Sequence, residues 1–391
     1  MPVCKRLAIV GASARAAAFS AARAGFDVVA ADLFADADLA RVVDATQVTN
    51  YPNQLGDWLR GIECDAWLYT GALENYPKLV DRMAAFKPLL GNCGEALRTV
   101  RDPLVLQQLV TEAGLDFPET LDSPIGLPKF SRWLCKTYRG SSGSGVWRLA
   151  DKGALERATL ERAVFQWFVE GLPASAIFAC SGAGSKLLGV TRQLVGGPGE
   201  REWHYLGSIG PIVVSKPIQE QLAALGKLLA DRCSLRGLVG VDLVIEGDRL
   251  CIIEVNPRYS ASVEVLERAT GVSAIALHAA ACDPDHWSIE VDRPPQSPNH
   301  ATEQVHAKQI LYASRETRVS LEFFEWAIER SGLDSHTAWL ADIPHAGESI
   351  PAGRPVLTVF AAASSIPDCE ANLHKRIAEV EARLDGAQQL Q

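Results

Sequence analysis

Residues 237–258 read GLVGVDLVIEGDRLCIIEVNPR, two apolar runs broken at Glu246-Gly247-Asp248 by turn-forming residues. β-Branched and large aliphatic side chains dominate both runs, and the short break between them marks an antiparallel hairpin. Alternate side chains of a strand share a face, so Glu254 and Asn256 lie together and the hairpin returns Asp242 alongside them. Three hard oxygen donors thereby converge. Mg²⁺, or Mn²⁺ in its place, takes a few carboxylate or amide oxygens and fills its other positions with water and phosphate oxygens, which this set leaves room for. Arg258, two residues beyond Asn256 on the same face, suits a phosphate or an anionic intermediate held by paired hydrogen bonds. The competing reading is a strand with solvated polar ends; against it stands the cost of burying unpaired polar groups in so apolar a strand.

Upstream, Lys136 closes the strand-like WLCK and is followed by TYRGSSGSGV, residues 137–146. Backbone N–H groups of Ser141, Ser142, Gly143 and Ser144 in such a loop can approach phosphate oxygens closely, with the lysine as a point charge at its base. A flexible surface turn accounts for the loop equally well, and G-x-x-x-x-G-K-[ST] is absent. VFQWFVEG, residues 164–171, is a short apolar strand ending in glycine; the edge of Gln166, Trp167, Phe168 and Val169 suits an adenine, although taken alone a core strand explains it better. Arg192 and Gln193 sit on a strand of the same block and are read as facing the same cleft, with a cross-strand salt bridge as the rival for Arg192.

The front of the chain has a different texture. RLAIV, GASAR, an alanine-rich helix to Ala24-Gly25, and FDVVAAD form the opening β-α-β of a doubly wound sheet, continued by AWLYT at 66–70, a helix over 76–86 and a strand end at 89–92. The missing second glycine of G-x-G-x-x-G, where Ser13 stands, argues against a dinucleotide site. A helix over 102–113 stops at Gly114, and Pro118 marks a border. From 127 to 263 the segments are β-rich, with one helix near 218–233; 283–304 reads as a proline-containing linker. Beyond it come a strand KQILYA, a helix near 320–331, a Gly/Pro-rich strand pair through 342–359 and a closing amphipathic helix over 367–384. The expected units are 1–115 (Rossmann-like), 116–290 (two α+β subdomains) and 291–391 (a small α+β unit).

With 48% hydrophobic and 22% charged residues among 391, the chain can bury large cores and is not a disordered or coiled-coil sequence. A net charge of −9 without any basic run excludes a sequence-independent grip on nucleic acid or on an anionic membrane. Nine scattered cysteines without a C-x-x-C pair point to a reduced, cytosolic setting, and no apolar run is long enough to span a bilayer. No spaced histidine pair or G-x-S-x-G elbow supports a zinc enzyme or a serine hydrolase.

Taken together, Lys136 with its Gly/Ser loop, the strand ending in Gly171, and Asp242 with Glu254-x-Asn256-Pro-Arg258 resemble the ATP-grasp superfamily in order and spacing. The stretches 9–39, YTGALEN with LLGN, and ADIPHAGESIPAGRPVLTV resemble more closely its predicted carboligase branch, related to biotin carboxylase and found in archaea and in methylotrophic bacteria with methanopterin-type one-carbon carriers. The resemblance implies a pre-ATP-grasp domain, an ATP-grasp fold, and a homodimer. It also implies MgATP as cofactor, with Lys136 on the phosphates, 166–169 around adenine, Asp242, Glu254 and Asn256 on the metal, and Arg258 steadying an acyl phosphate. The implied reaction is carboxylate-amine ligation of small molecules with release of ADP, in assembly of a tetrahydromethanopterin- or methanofuran-type carrier. A bicarbonate-dependent carboligase and a non-catalytic nucleotide-binding partner are the alternatives. Two departures stand out: Asp102-Pro103 replaces the Asp-Lys pair of many relatives, with Arg98 or Arg101 as substitutes, and Pro173 stands where an acidic residue commonly holds ribose. Because open parallel sheets bind ligands beyond their strands' carboxyl ends, the substrate is expected near Ser13, Arg15, Glu74 and Asn75.

Overall fold

The computed structural model describes residues 5–127, 132–197, 202–283, 285, 304–334 and 337–389. Strands β1 (Arg6–Val10), β2 (Asp27–Asp32), β3 (Asp44–Gln47) and β4 (Ala66–Tyr69) form a parallel sheet in the order β3-β2-β1-β4. β1 and β4 read as unbroken apolar runs because helices cover both faces of a parallel sheet. The turn after β1 requires glycine: a Cβ on Gly11 would stand 2.0 Å from Thr70 Oγ1. Asp32, at the end of β2, accepts hydrogen bonds from the N–H groups of Ala14, Phe34 and Ala35, so it staples this turn.

A small antiparallel sheet, β5-β8-β6-β7, follows: β5 (Thr120–Leu121), β6 (Trp133–Ser141), β7 (Ser144–Arg148) and β8 (Ala163–Trp167). Lys136 therefore lies within a long strand and not at the foot of a loop; β6 runs on to Ser141 and turns at Ser142-Gly143, both at positive φ (52° and 78°). The remaining large sheet is antiparallel, in the order β13-β12-β9-β10-β11-β14-β18-β16. Its members are β9 (Leu172–Ser181), β10 (Gly184–Val195), β11 (Tyr205–Gly210), β12 (Gly237–Glu246), β13 (Arg249–Asn256), β14 (Val305–Tyr312), β16 (Leu340–Ala341) and β18 (Pro355–Ala363).

A strand pair does bracket 342–359: β16 runs antiparallel to β18, with Ala341 opposite Thr358, while β17 (Ser349–Ile350) between them joins β15 (Thr317–Arg318) and the other edge of β18 pairs with β14. β14 of the C-terminal unit is hydrogen-bonded to β11 of the preceding block, so the large sheet runs through both. Most of the proposed 283–304 linker lies outside the described residues. The last helix is longer than its amphipathic pattern suggested, Ile366–Gln389. Among the described residues no helix is long and apolar enough to cross a membrane.

A buried ionic cluster joins the front sheet to the C-terminal unit. Arg15, 1% exposed, is forked onto Glu264 and onto Asp342 (Nε to Oδ1 2.9 Å), and Lys308 also reaches Glu264 at 3.1 Å. Burial works against the Glu264 charge, but Arg15 and Lys308 outweigh it and hold the carboxyl far below its ordinary range. Asp36 lies beside this cluster with Oδ2 buried and without a hydrogen-bond partner. Burial, then Asp342, Asp38 and Asp32, push its carboxyl well above the usual range, and burial raises Asp38 to about 6. A carboxyl with a raised folded-state pKa stabilises the fold fully at low pH, and that contribution is lost as pH rises from the ordinary carboxylate value, about 4, through the folded value. Asp36→Asn, neutral at every pH, is accordingly expected to gain thermal stability over the parent at pH 8 and much less at pH 5. Equal gains in melts at the two pH values would refute this account of Asp36.

Candidate functional site

The small sheet folds over one face of the large sheet and encloses a cavity of about 400 Å³. Its floor is the hairpin read first in the sequence: Asp242 lies opposite Glu254 in the ladder and Gly240 opposite Asn256, so the two carboxylates and the amide share one face. Asp242 accepts from Gln193 Nε2 (2.7 Å) and Asn256 Nδ2 (3.1 Å), and Glu254 accepts from Arg101 at 2.9 Å. Burial, then repulsion from Glu254, raises the Asp242 carboxyl to about 6. Glu254 moves down despite its burial, because Arg101, Lys136 and Arg258 surround it. One third of its side chain (34%) stays open to the cavity. Two facing carboxylates whose repulsion a cation would relieve, with an adjacent amide oxygen, fit Mg²⁺ and its retained waters. Among the described residues no group of three or more His, Cys, Asp or Glu is placed to hold a metal, so a cage built wholly from protein acids is not on offer.

Three cations converge on the same cavity. Lys136 Nζ donates to Gln166 Oε1 at 3.0 Å, and burial lowers its pKa against the pull of Glu254 and Asp242. Arg258 is bonded through Nε to Glu74 at 2.9 Å. Arg101, at the end of the helix Gly94–Arg101, supplies the third. The departure at Asp102-Pro103 is resolved locally: Asp102 caps the helix Pro103–Glu112 through Leu104 N–H, and proline takes the first helical position, where its missing N–H costs nothing. A cation two residues before Pro103, Arg101, lines the cavity, while Arg98 pairs with Asp81 outside it.

Ser141, Ser142, Gly143 and Ser144 form one wall; a Cβ on Gly143 would lie 1.7 Å from the Trp203 carbonyl oxygen, so only glycine permits that approach. Gln166, Trp167, Phe168 and Val169 form another, with the Gln166 side chain buried against Lys136 and Thr120. The edge-on Phe168–Trp203 pair, 5.4 Å between centroids, lies beneath the Arg148 guanidinium. Pro173 lines the cavity where a ribose carboxylate was sought; among the described lining residues only Asp242 and Glu254 are acidic.

Several expected positions fall elsewhere. Arg192 does not line the cavity: Gln193 faces in, so its neighbour faces out, and Arg192 is ion-paired with Glu370 of the last helix. Arg15 is consumed by the buried cluster and is closed to any substrate. Ser13 is exposed outside the cavity. Glu74 and Asn75 are buried behind it, holding Arg258 and Arg101 from the rear. Sequence reasoning did not single out Ser175, Trp203 or Tyr205; Ser175 enters the cavity as the register partner of Asp242 on β9, a pairing that the fold alone reveals.

Residues 100–262 match the ATP-grasp domain family. A curated relative, the carbamoyl phosphate synthase large chain of Pseudomonas putida, is 36% identical over 73 residues, 19% of this chain and 7% of that protein. The chain thus matches only a small part of the length of such relatives. Among solved structures, the ADP complex of purK, an N5-carboxyaminoimidazole ribonucleotide synthetase, superposes with a TM-score of 0.69 at 17% identity, covering 98% of each chain. The L-amino acid ligase from Bacillus licheniformis gives a TM-score of 0.66 at 15% identity, covering 95% of this chain and 96% of that one. At these identities the likeness is one of fold. The chain has the ATP-grasp fold from end to end, and it is over residues 100–262 that its sequence is similar to the ATP-grasp domain family.

Proposed function

We propose that the protein is an MgATP-dependent ligase that activates a carboxylate of a small molecule and joins it to an amine. The observation that carries this reading is the convergence of Asp242, Glu254 and Asn256 with Lys136, Arg101 and Arg258 on one cavity. A nucleotide triphosphate bound there meets cations on its phosphates and oxygen donors for its metal. Asp242, Glu254 and Asn256 would hold Mg²⁺, whose chemistry is to neutralise phosphate charge and orient the transferred group. A substrate carboxylate oxygen attacks the γ-phosphorus, the bond to the bridging oxygen breaks, and ADP leaves; the amine nitrogen then attacks the acyl carbon, expels phosphate and gives its proton to solvent. Lys136, Arg101 and Arg258 stabilise the charge that develops on the transferred oxygens, the term that dominates when chemistry is mainly positioning.

The lysine missing at position 103 favoured a non-catalytic reading, and the Arg101 guanidinium in the cavity weakens that argument. Bicarbonate as the carboxylate is the second reading, supported by the fold shared with the biotin carboxylase domain of a 2-oxoglutarate carboxylase solved with MgADP and bicarbonate. Membership of the carboligase branch, a role in one-carbon-carrier assembly and a homodimer belong to the same proposal, and the sequence resemblance is their support. The test is ADP and phosphate release from MgATP with hydroxylamine as a surrogate amine, across amino acids, aromatic acids and bicarbonate. ADP release that depends on one organic acid, with the hydroxamate formed, is expected. Release with bicarbonate alone would replace the first reading by the second, and MgATP binding without turnover on any acid of the panel would overturn both.

A further inference from the structure

Asn75 ends the 3-10 turn Leu73–Asn75 of the front domain and is buried, with 8% of its surface exposed. Its amide uses both of its ends on different parts of the site. Oδ1 accepts from Arg101 at 2.7 Å, fixing the guanidinium that also meets Glu254. Nδ2 donates to the carbonyls of Arg139 and Gly140, each at 3.3 Å, near the end of β6 where the small sheet turns over the cavity. The Arg139 side chain lies over the Tyr76 ring, 5.6 Å away, so this contact extends beyond one residue. On the far side, Tyr205 N–H donates to the Ser142 carbonyl, which ties the same hairpin to the large sheet. A carboxamide is the neutral side chain that offers an acceptor at one atom and two donors at another, which this position uses.

We infer that Asn75 is a positioning residue that couples the closed setting of the β6–β7 hairpin to the orientation of Arg101, so that this cation is aligned for phosphate when the hairpin is down. The inference rests on the MgATP reading above and deepens it. With the hairpin raised, Nδ2 loses both carbonyl partners, the amide is free to rotate, and Arg101 NH2 loses the acceptor that fixes it. Coupling of this kind is reciprocal: whatever loosens Arg101 loosens the hairpin, although the arginine's own bonds are to Asn75, Glu254 and the Val255 carbonyl.

The experiment measures affinity for MgATP and for adenosine by calorimetry, and hydrogen exchange of amides 137–146, in the full chain, in Asn75→Ala and in Arg101→Met. Loss of a hydrogen bond to a charged group predicts MgATP binding weakened about tenfold in Asn75→Ala. Adenosine affinity is expected to stay unchanged, since adenosine carries no phosphate for Arg101 to meet, and hairpin exchange to quicken in both variants. A merely structural role would lower both affinities together. Unchanged MgATP affinity in Asn75→Ala, or hairpin exchange in Arg101→Met identical to the parent, would overturn the inference. Exchange in the helix Ile366–Gln389 reports on global folding, and Asn75→Ser replaces the alanine variant if that one fails to fold. A parent chain that binds no MgATP would sink the functional reading itself, a result distinct from a parent that binds and variants that behave like it.

Discussion

Glu254→Gln is expected to abolish acid-dependent ADP release, with a loss on the order of a thousandfold, while leaving the fold intact. The change keeps the shape of the side chain and removes the charge at the meeting point of Arg101, Lys136 and Asp242. Two effects follow. The pair of facing carboxylates becomes one carboxylate and two amides, a poorer set for a hard divalent cation. Arg101 also loses its acidic partner, which leaves a buried guanidinium without its compensating charge. Nucleotide affinity should therefore lose most of its dependence on Mg²⁺. Titration of ADP with and without Mg²⁺, beside the turnover assay, separates loss of the metal site from general damage. Turnover within about threefold of the parent would remove Glu254, and with it the site as drawn, from the chemistry.

Arg15→Ala is expected to act on stability alone, at a cost of about 3–5 kcal/mol, the range for breaking a buried ion pair by removing one partner. Without the guanidinium, Glu264 keeps Lys308 as its ion-pair partner, with Arg268 nearby, and Asp342 is left beside Asp36 and Asp38 without its cation. Urea denaturation measures the loss. Those molecules still folded should bind MgATP with the affinity of the parent, because Arg15 is sealed away from the cavity. A variant of normal stability and impaired turnover would restore the original expectation that Arg15 contacts substrate.

The contrast between these two residues shows which features were legible in the sequence. Asp242, Glu254 and Asn256 lie on one hairpin, where local alternation dictates a shared face and the turn is written in Gly247-Asp248. The front β-α-β unit and the β-rich middle were equally local. Arg15, Glu264 and Asp342 are brought together from three distant parts of the chain, and no periodicity signals a long-range ion pair. Arg192 and Gln193 posed a different difficulty: alternation guarantees that only one of them faces the cavity, but which one depends on strand register, a tertiary property. The strand pair expected through 342–359 is present in β16 and β18, but β17 between them pairs with β15 in a separate two-stranded sheet, a partner choice that no local pattern signals. Arg101 was within reach, since a cation was sought near Asp102, but its orientation comes from Glu254 and Asn75, which the chain supplies from far away.

The shared large sheet also bears on how the protein is made. β11 has its partner on one side in β10, and its other edge is filled by β14, with Gly207 opposite Gln309. During synthesis that edge stays open until roughly a hundred further residues have left the ribosome, at a speed of about 5–20 residues per second. An unfilled strand edge is a template for pairing with other chains. The nascent polypeptide therefore spends several seconds as a species that chaperones have reason to hold, a need that a sheet completed by neighbouring segments would not create.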